Sequence, residues 1–242
     1  MNQFARKISP SPTKKKLKLI RNNYLWLAFL SLIFELQMVF TTLINKQAFR
    51  RLTNRTNIRL NLGCGSDIRL DWVNIDMIKP DHVHISPNAI FITHDLRRNI
   101  PLPDASCSYV YSSHFWEHLD YFTGFRMMQE SYRILEEGSI FRIVLPDFEK
   151  VFKAYAANDV QFFEGIPKQA LQNVPGSETL LDYVHYAVYQ FGEHLCLYDS
   201  ERTCKMLLQA GFSKVEVVEF DETIDINLPL RTRYSLYVEA IR

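Results

Sequence analysis

Residues 58–67 read IRLNLGCGSD, an apolar strand that runs into a Gly-x-Gly turn. Two glycines around Cys64 let backbone approach a ligand with no Cβ in the way. Such a turn alone is weak evidence for any ligand. Eleven residues beyond Gly65, the run WVNID ends in Asp76. A carboxylate at that place can accept two hydrogen bonds from a ribose diol. The run AIFITHD ends in Asp95, which can accept from an exocyclic amine. A glycine turn and two acids suit a nucleoside. The dinucleotide fingerprint needs a third glycine where this chain has Ile68, and Asp67 beside it is hostile to pyrophosphate. That tilts the reading away from an NAD-dependent oxidoreductase, which stays as an alternative. Arg97 and Arg98 follow Asp95 and are expected to face solvent.

Histidines supply the candidate bases, because their ordinary pKa lies near neutrality. His114 follows the run CSYVYSS and should point at the same crevice, and His118 lies one helical turn on, next to Glu117. His185 and His194 fall in an aromatic-rich stretch that would fold over the site. His114 and His194 are taken as the candidate catalytic pair. His118 is read as a partner for a neighbouring loop, and Asp147 as the cap of the next helix. No metal is assigned, since the ligands that would join Glu117 and His118 cannot be identified from the sequence.

The elements that must hold these residues alternate between strand and helix. Strands are expected at 58–62, 72–76, 89–95, 107–113, 139–147, 213–220 and 233–241. A helix is expected from about Leu119 to Glu136, with Gly138 at its C-terminus, and another from Asp199 or Ser200 to Ala210, closed by Gly211. Pro167, Pro175 and Gly176 break the stretch between them. The last two strands are joined too tightly for a crossover helix and should be antiparallel. The fold class is therefore α/β: a doubly wound, seven-stranded, mostly parallel sheet with a C-terminal antiparallel pair and an N-terminal helical extension. Ligands in such sheets bind at the C-terminal strand ends.

The chain has 242 residues and an ordinary globular composition, with 47% apolar and 23% charged residues. Its charge is uneven. Residues 1–56 carry 11 Lys/Arg and only Glu35 as an acid, while the remainder carries 17 basic and 26 acidic residues. A basic extension (1–56) on an acidic body (57–242, with an insert at 148–196) points the extension at an anionic partner and argues against nucleic acid on the body. Four cysteines without a Cys-x-x-Cys pair read as reduced thiols. From Tyr24 to Ile44 the chain is mostly apolar, but Glu35 and Gln37 interrupt it. Ser31, Glu35, Gln37, Thr41, Thr42 and Asn45 lie on one side of a helix. Leu32, Ile33, Leu36, Val39, Phe40, Leu43 and Ile44 lie on the other. An interfacial helix, with residues 14–50 on an anionic membrane surface, and a helix docked on its own domain or on a second copy are weighed equally. A true span ranks third. Asn54–Asn57 reads as a polar linker.

Five runs, LNLGCGSD, WVNID, THDLRRNIPLPDASCSYVYSSHFWEHL, RILEEGSIFRIVLPD and LLQAGF, occur in one order. In that order the chain resembles class I S-adenosylmethionine-dependent methyltransferases, and within them the type 11 domain, over about residues 57–241. The resemblance implies S-adenosyl-L-methionine as cofactor, with Gly63, Cys64 and Gly65 along the methionine portion, Asp76 on the ribose hydroxyls, Asp95 and Leu96 against the adenine, and Ser113 towards the sulfonium. Asn61 stands where these enzymes often carry an acid, and Asp67 where a small residue is usual. The implied activity is methyl transfer to an oxygen or nitrogen of a small, glycan or lipid-linked acceptor, because relatives often accompany enzymes of surface-polysaccharide biosynthesis. The implied location is cytoplasmic, or peripheral on the cytoplasmic face of a membrane. A membrane-associated protein that keeps the fold without catalysis is the non-enzymatic alternative.

Overall fold

The computed structural model describes residues 24–53, 55–80, 83, 85–164, 166 and 179–242. The basic residues 6–21, Asn54 of the linker, and the breakers Pro167, Pro175 and Gly176 lie outside the described residues. A long helix α1 (Tyr24–Leu52) precedes β1 (Ile58–Leu62), β2 (Val73–Asp76), β3 (Ile90–Thr93) and β4 (Cys107–Ser113). Then come α2 (Tyr121–Ile134), β5 (Leu135–Pro146), α3 (Phe148–Ala156), α4 (Leu180–Tyr189), α5 (Ser200–Ala210), β6 (Lys214–Val218), α6 (Pro229–Tyr234) and β7 (Ser235–Ile241). One seven-stranded sheet has the order β3-β2-β1-β4-β5-β7-β6. The first five strands are parallel to their neighbours, and β7 runs antiparallel to both β5 and β6. This is the expected sheet, with its C-terminal antiparallel pair. The chain order reverses beside β1, which sets the switch point at the glycine turn.

Local chemistry explains the element ends. Asp120 caps α2 by accepting from Phe122 and Thr123 N–H, Asp147 caps α3 through Glu149 and Lys150 N–H, and Asp199 caps α5 through Arg202 N–H. Gly211 closes α5 at φ +118°, a left-handed conformation that favours glycine.

Three expectations need correction. First, α2 stops at Ile134, and β5 begins at once with Leu135. Gly138 is no helix terminator. Cys107 pairs with Leu135 and Tyr109 with Ile140, so four residues of β5 oppose the single Ser108. Gly138 takes φ +76° inside that bulge and donates its N–H to Arg242 O. Second, the connections β1–β2, β2–β3 and β3–β4 contain no helix among the described residues. The alternation therefore holds only from β4 onward. Third, Arg97 does not face solvent as a lone cation; it lies in a clamp described below.

One core holds α1, α2, α5 and one face of the sheet together. Phe34, Met38, Phe49 and Leu52 of α1 pack with Leu60, Leu62, Ile75, Met127, Met128, Phe141, Met206 and Leu207. The opposite sheet face carries a smaller cluster of Tyr111, Val144 and Tyr237, with Trp72, Tyr109, Phe220 and Ile224 against it. There Arg142, wholly buried, reaches both Asp225 oxygens, Glu239 Oε1 at 2.8 Å and Glu219 O at 2.8 Å. This pins the β6–β7 connection over the sheet. A third cluster (Val151, Ala154, Phe163, Ile166, Val184 and Tyr234) joins α3, α4 and α6.

Candidate functional site

Both glycines of the turn need left-handed backbone, with φ +63° at Gly63 and +51° at Gly65. Gly63 and Cys64 N–H donate to Ile75 O at 2.9 and 3.2 Å. Gly65 N–H donates to Asp76 Oδ2 at 2.7 Å, and Ile78 N–H to Asp76 Oδ1 at 3.3 Å. The turn and the β2 carboxylate thus share one place at the strand ends, as expected. A Cβ on Gly63 would lie 2.1 Å from Phe115 Cγ, so the Phe115 ring rests directly on the turn. Around Gly65 a Cβ would meet nothing within 4 Å.

The turn is braced from below by two buried asparagines. Asn61 Nδ2 donates to Asp67 O at 2.7 Å and to Asn74 Oδ1 at 3.2 Å. Asn74 Oδ1 also accepts from Arg69 N–H, while Asn74 Nδ2 donates to the carbonyls of Arg69, Trp72 and Ile90. Asn61 Nδ2 therefore holds the turn's own backbone and its neighbour Asn74. Asn74 was missed in the sequence because its partners span three separate segments. Asp67 is paired with Arg69 Nε at 2.7 Å, and that guanidinium lies 3.8 Å over the Tyr111 ring. The acid at the mouth of the turn is thus paired within the chain. Cys64 is buried; burial, with Asp76 and Asp67 nearby, pushes its thiol well up, so it is an inert thiol.

Asp95 sits where a bridge to adenine was expected, but its carboxylate is already engaged. Arg97 Nε binds Oδ1 at 2.9 Å and Nη2 binds Oδ2 at 3.1 Å, while Arg98 Nε reaches Oδ2 at 3.2 Å. The other edge of Arg97 forks onto Glu35 of α1, at 2.7 and 2.9 Å. Burial pushes the Asp95 carboxyl up, but Arg97 outweighs it and holds the carboxyl below its usual range. The Leu96 side chain is wholly buried in the main core and presents nothing to a ligand. Ser113 ends β4, half-buried, opposite Val144.

The histidines converge on Glu117, which is 1% exposed. His114, at φ +51°, places Nε2 2.8 Å from Ser235 Oγ and Nδ1 3.5 Å from Glu117 Oε1. His118 donates Nδ1–H to Glu193 O at 3.0 Å, which fixes the expected loop contact, and its Nε2 lies 3.8 Å from Glu117 Oε1. His194 donates Nδ1–H to Ala187 O at 2.8 Å, and its ring meets that of His118 edge-on at 5.1 Å. The Glu117 carbonyl accepts from Leu195 and Cys196 N–H, stitching the segment after α4 to the short turn after β4. Burial holds His194 below its ordinary value, against the Glu117 charge. For Glu117, burial acts upward, and His114 outweighs it. Glu117 Oε2 has no hydrogen-bond partner among the described residues. Ligand atoms of Glu117, His118 and His194 lie within 4.8 Å of one another, close enough to hold a divalent cation after a small contraction. The structure thus brings the two sequence-chosen histidines to one carboxylate. His185, by contrast, is exposed and its ring meets that of Tyr189 at a tilt, 4.8 Å between centroids.

Two cavities of about 460 Å³ lie away from the turn's glycines. One is lined by Arg59, Asp67, Arg69, Trp72, Tyr109 and the 223–226 segment, the other by Phe148, Phe152, Leu197 and Arg202 with their neighbours.

No protein-family model and no curated protein matches the chain. Among solved structures it is similar to an S-adenosylmethionine-dependent methyltransferase from Archaeoglobus fulgidus, at 15% identity and TM-score 0.49, over 82% of this chain and 93% of that one. It is also similar to an S-adenosylmethionine-dependent methyltransferase from Mesorhizobium loti, at 17% identity and TM-score 0.47, over 82% and 97%.

Proposed function

We propose that this chain is an S-adenosylmethionine-dependent methyltransferase acting on an oxygen or nitrogen of a small, glycan or lipid-linked acceptor. One observation carries the reading: the left-handed Gly63–Gly65 turn meets the Asp76 carboxylate, through Gly65 N–H at 2.7 Å, where the strand order reverses. Gly63 and Gly65 would lie along the amino-acid portion of the cofactor. Asp76 would exchange its backbone donors for the ribose hydroxyls, and Ser113 would face the reacting side. The cofactor supplies an activated methyl on a sulfonium. The protein must align the acceptor and take its proton. His114 and His194 are the groups for that work, because Glu117 sits behind one and beside the other. His194 lies in the segment just after α4, so the cluster of α3, α4 and α6 would form a wall on the acceptor side.

Calorimetry with S-adenosylmethionine and S-adenosylhomocysteine tests the reading on wild type and Asp76→Ala. Wild type should bind both, and the variant should lose at least about tenfold, or about 1.4 kcal/mol. Equal affinity in the two proteins would remove Asp76 from the ribose.

A second reading, retention of the fold without methyl transfer, is favoured by the engagement of Asp95 with Arg97 and Arg98. Cofactor binding without turnover on any acceptor would support it.

A further inference from the structure

The helix α1 is apolar on two sides. One side, with Glu35 and Asn45 at its margin, packs on the protein, and a second apolar side is left exposed. Glu35 forks onto Arg97, and Asn45 Nδ2 donates to Thr93 O at 2.6 Å. Leu30, Phe34, Met38 and Phe49 are buried beside them. Leu32, Leu36, Val39, Phe40, Leu43 and Ile44 are exposed, up to 64% at Phe40. Their spacing of three and four residues makes them one continuous stripe, roughly 18 Å long from Leu32 to Ile44 at the helical rise. A soluble surface does not ordinarily show such a stripe.

We propose that this stripe lies on an anionic lipid leaflet, with the helix in the plane of the interface. Charge chooses the occupant. Seven Lys/Arg precede the helix in sequence, and Lys46, Arg50, Arg51 and Arg55 sit in or just after its last turns. The one acid of this region, Glu35, is paired with Arg97. Cations on both flanks of an apolar stripe are the composition of an interfacial helix, and each adds attraction to an anionic surface. A second copy seated face to face would bring two such basic regions together, which repels. The window Trp26–Leu52 is long and apolar enough to cross a bilayer. Crossing would strip Phe34, Met38, Phe49 and Leu52 from the main core, however, and carry Glu35 into hydrocarbon without Arg97.

The same helix flanks β3 and Asp95 at the ligand-bearing end of the sheet. If the methyl-transfer reading holds, on which this step alone rests, the leaflet would border the site and the acceptor would be the headgroup side of a membrane-held molecule.

The test is co-sedimentation of the full chain, without cofactor, with vesicles of phosphatidylcholine alone and with phosphatidylglycerol added. The variants are Leu36→Ser/Phe40→Ser/Leu43→Ser, whose side chains are exposed, and Lys14→Gln/Lys15→Gln/Lys16→Gln/Lys18→Gln. Wild type should prefer the anionic vesicles and release them in high salt and in carbonate. Each variant should bind at least about tenfold more weakly, or about 1.4 kcal/mol. Equal binding by wild type and the apolar variant, or no preference for anionic vesicles, would overturn the proposal. So would a wild-type dimer that the apolar variant dissociates, which assigns the stripe to a second copy, and so would resistance to carbonate, which assigns a span. Calorimetry with S-adenosylhomocysteine on the apolar variant keeps the two readings apart. Retained cofactor binding with lost vesicle binding supports the lipid surface, and lost cofactor binding with retained vesicle binding strikes only the methyl-transfer reading.

Discussion

Gly63 and Gly65 are both left-handed, yet only one is pressed by a neighbour. Replacing Gly63 by alanine combines a strained backbone with a collision against Phe115, and should cost about 2–4 kcal/mol in urea unfolding. Gly65→Ala meets open space and should cost only the strain, about 1–2 kcal/mol. Adding Phe115→Ala to Gly63→Ala should bring its penalty down toward that of Gly65→Ala. If the two single variants unfold at the same urea concentration, Phe115 does not define this turn. The need for glycine here was legible from its type and place. The reason at Gly63 was not, because Phe115 is more than fifty residues away in the chain. The same holds for Asp95. Nothing local announces that Glu35 will orient Arg97 across it. The His118 contact, by contrast, followed from its position beside a loop, and the structure added that the loop also carries His194.

Strands were legible as elements because central parallel strands are buried on both faces and read as near-continuous apolar runs. IRLNL and CSYVYSS begin and end where expected. The strand β5, expected at 139–147, begins four residues earlier at Leu135, since LEEGS carries the signals of a helix end and only pairing at Cys107–Leu135 draws its start into the sheet. The helix-free connections in the first half were equally illegible, because a parallel crossover usually brings a helix with it. The face they leave bare is held by Arg142 instead. Arg142→Ala would leave Asp225 buried without its partner, and should lose about 3–5 kcal/mol of stability. The double variant Arg142→Met/Asp225→Leu should recover much of that loss, because it leaves no fully buried charge and Glu239, which also loses Arg142, is partly exposed to water. Chemical denaturation of the three proteins checks both statements; a double variant no better than Arg142→Ala would show that the β6–β7 connection depends on the charges themselves.

Across the whole molecule, α1 is joined to the body through a histidine as well as through Arg97. The His94 ring is buried, meets Phe49 of α1 edge-on at 5.2 Å and places Nε2 3.0 Å from Asn99 O. Burial holds its pKa below the ordinary value. The unfolded chain therefore takes up a proton that the folded chain refuses, so stability is complete above about pH 6.5 and falls as pH drops below it. His94→Gln should flatten that slope in thermal unfolding between about pH 6.5 and 5, and an unchanged slope would assign the acid sensitivity to other groups. The arrangement of three hydrophobic clusters has a further consequence for how such a chain can diverge. The residues of α3, α4 and α6 pack among themselves and share none with the cluster under the turn. Substitutions in separate packing units add nearly independently. A lineage could therefore remodel the α3, α4 and α6 unit, in size or polarity, while the packing beneath the glycine turn keeps its shape; on the proposed methyl-transfer reading, new acceptors could then be acquired without rebuilding the place proposed for the cofactor.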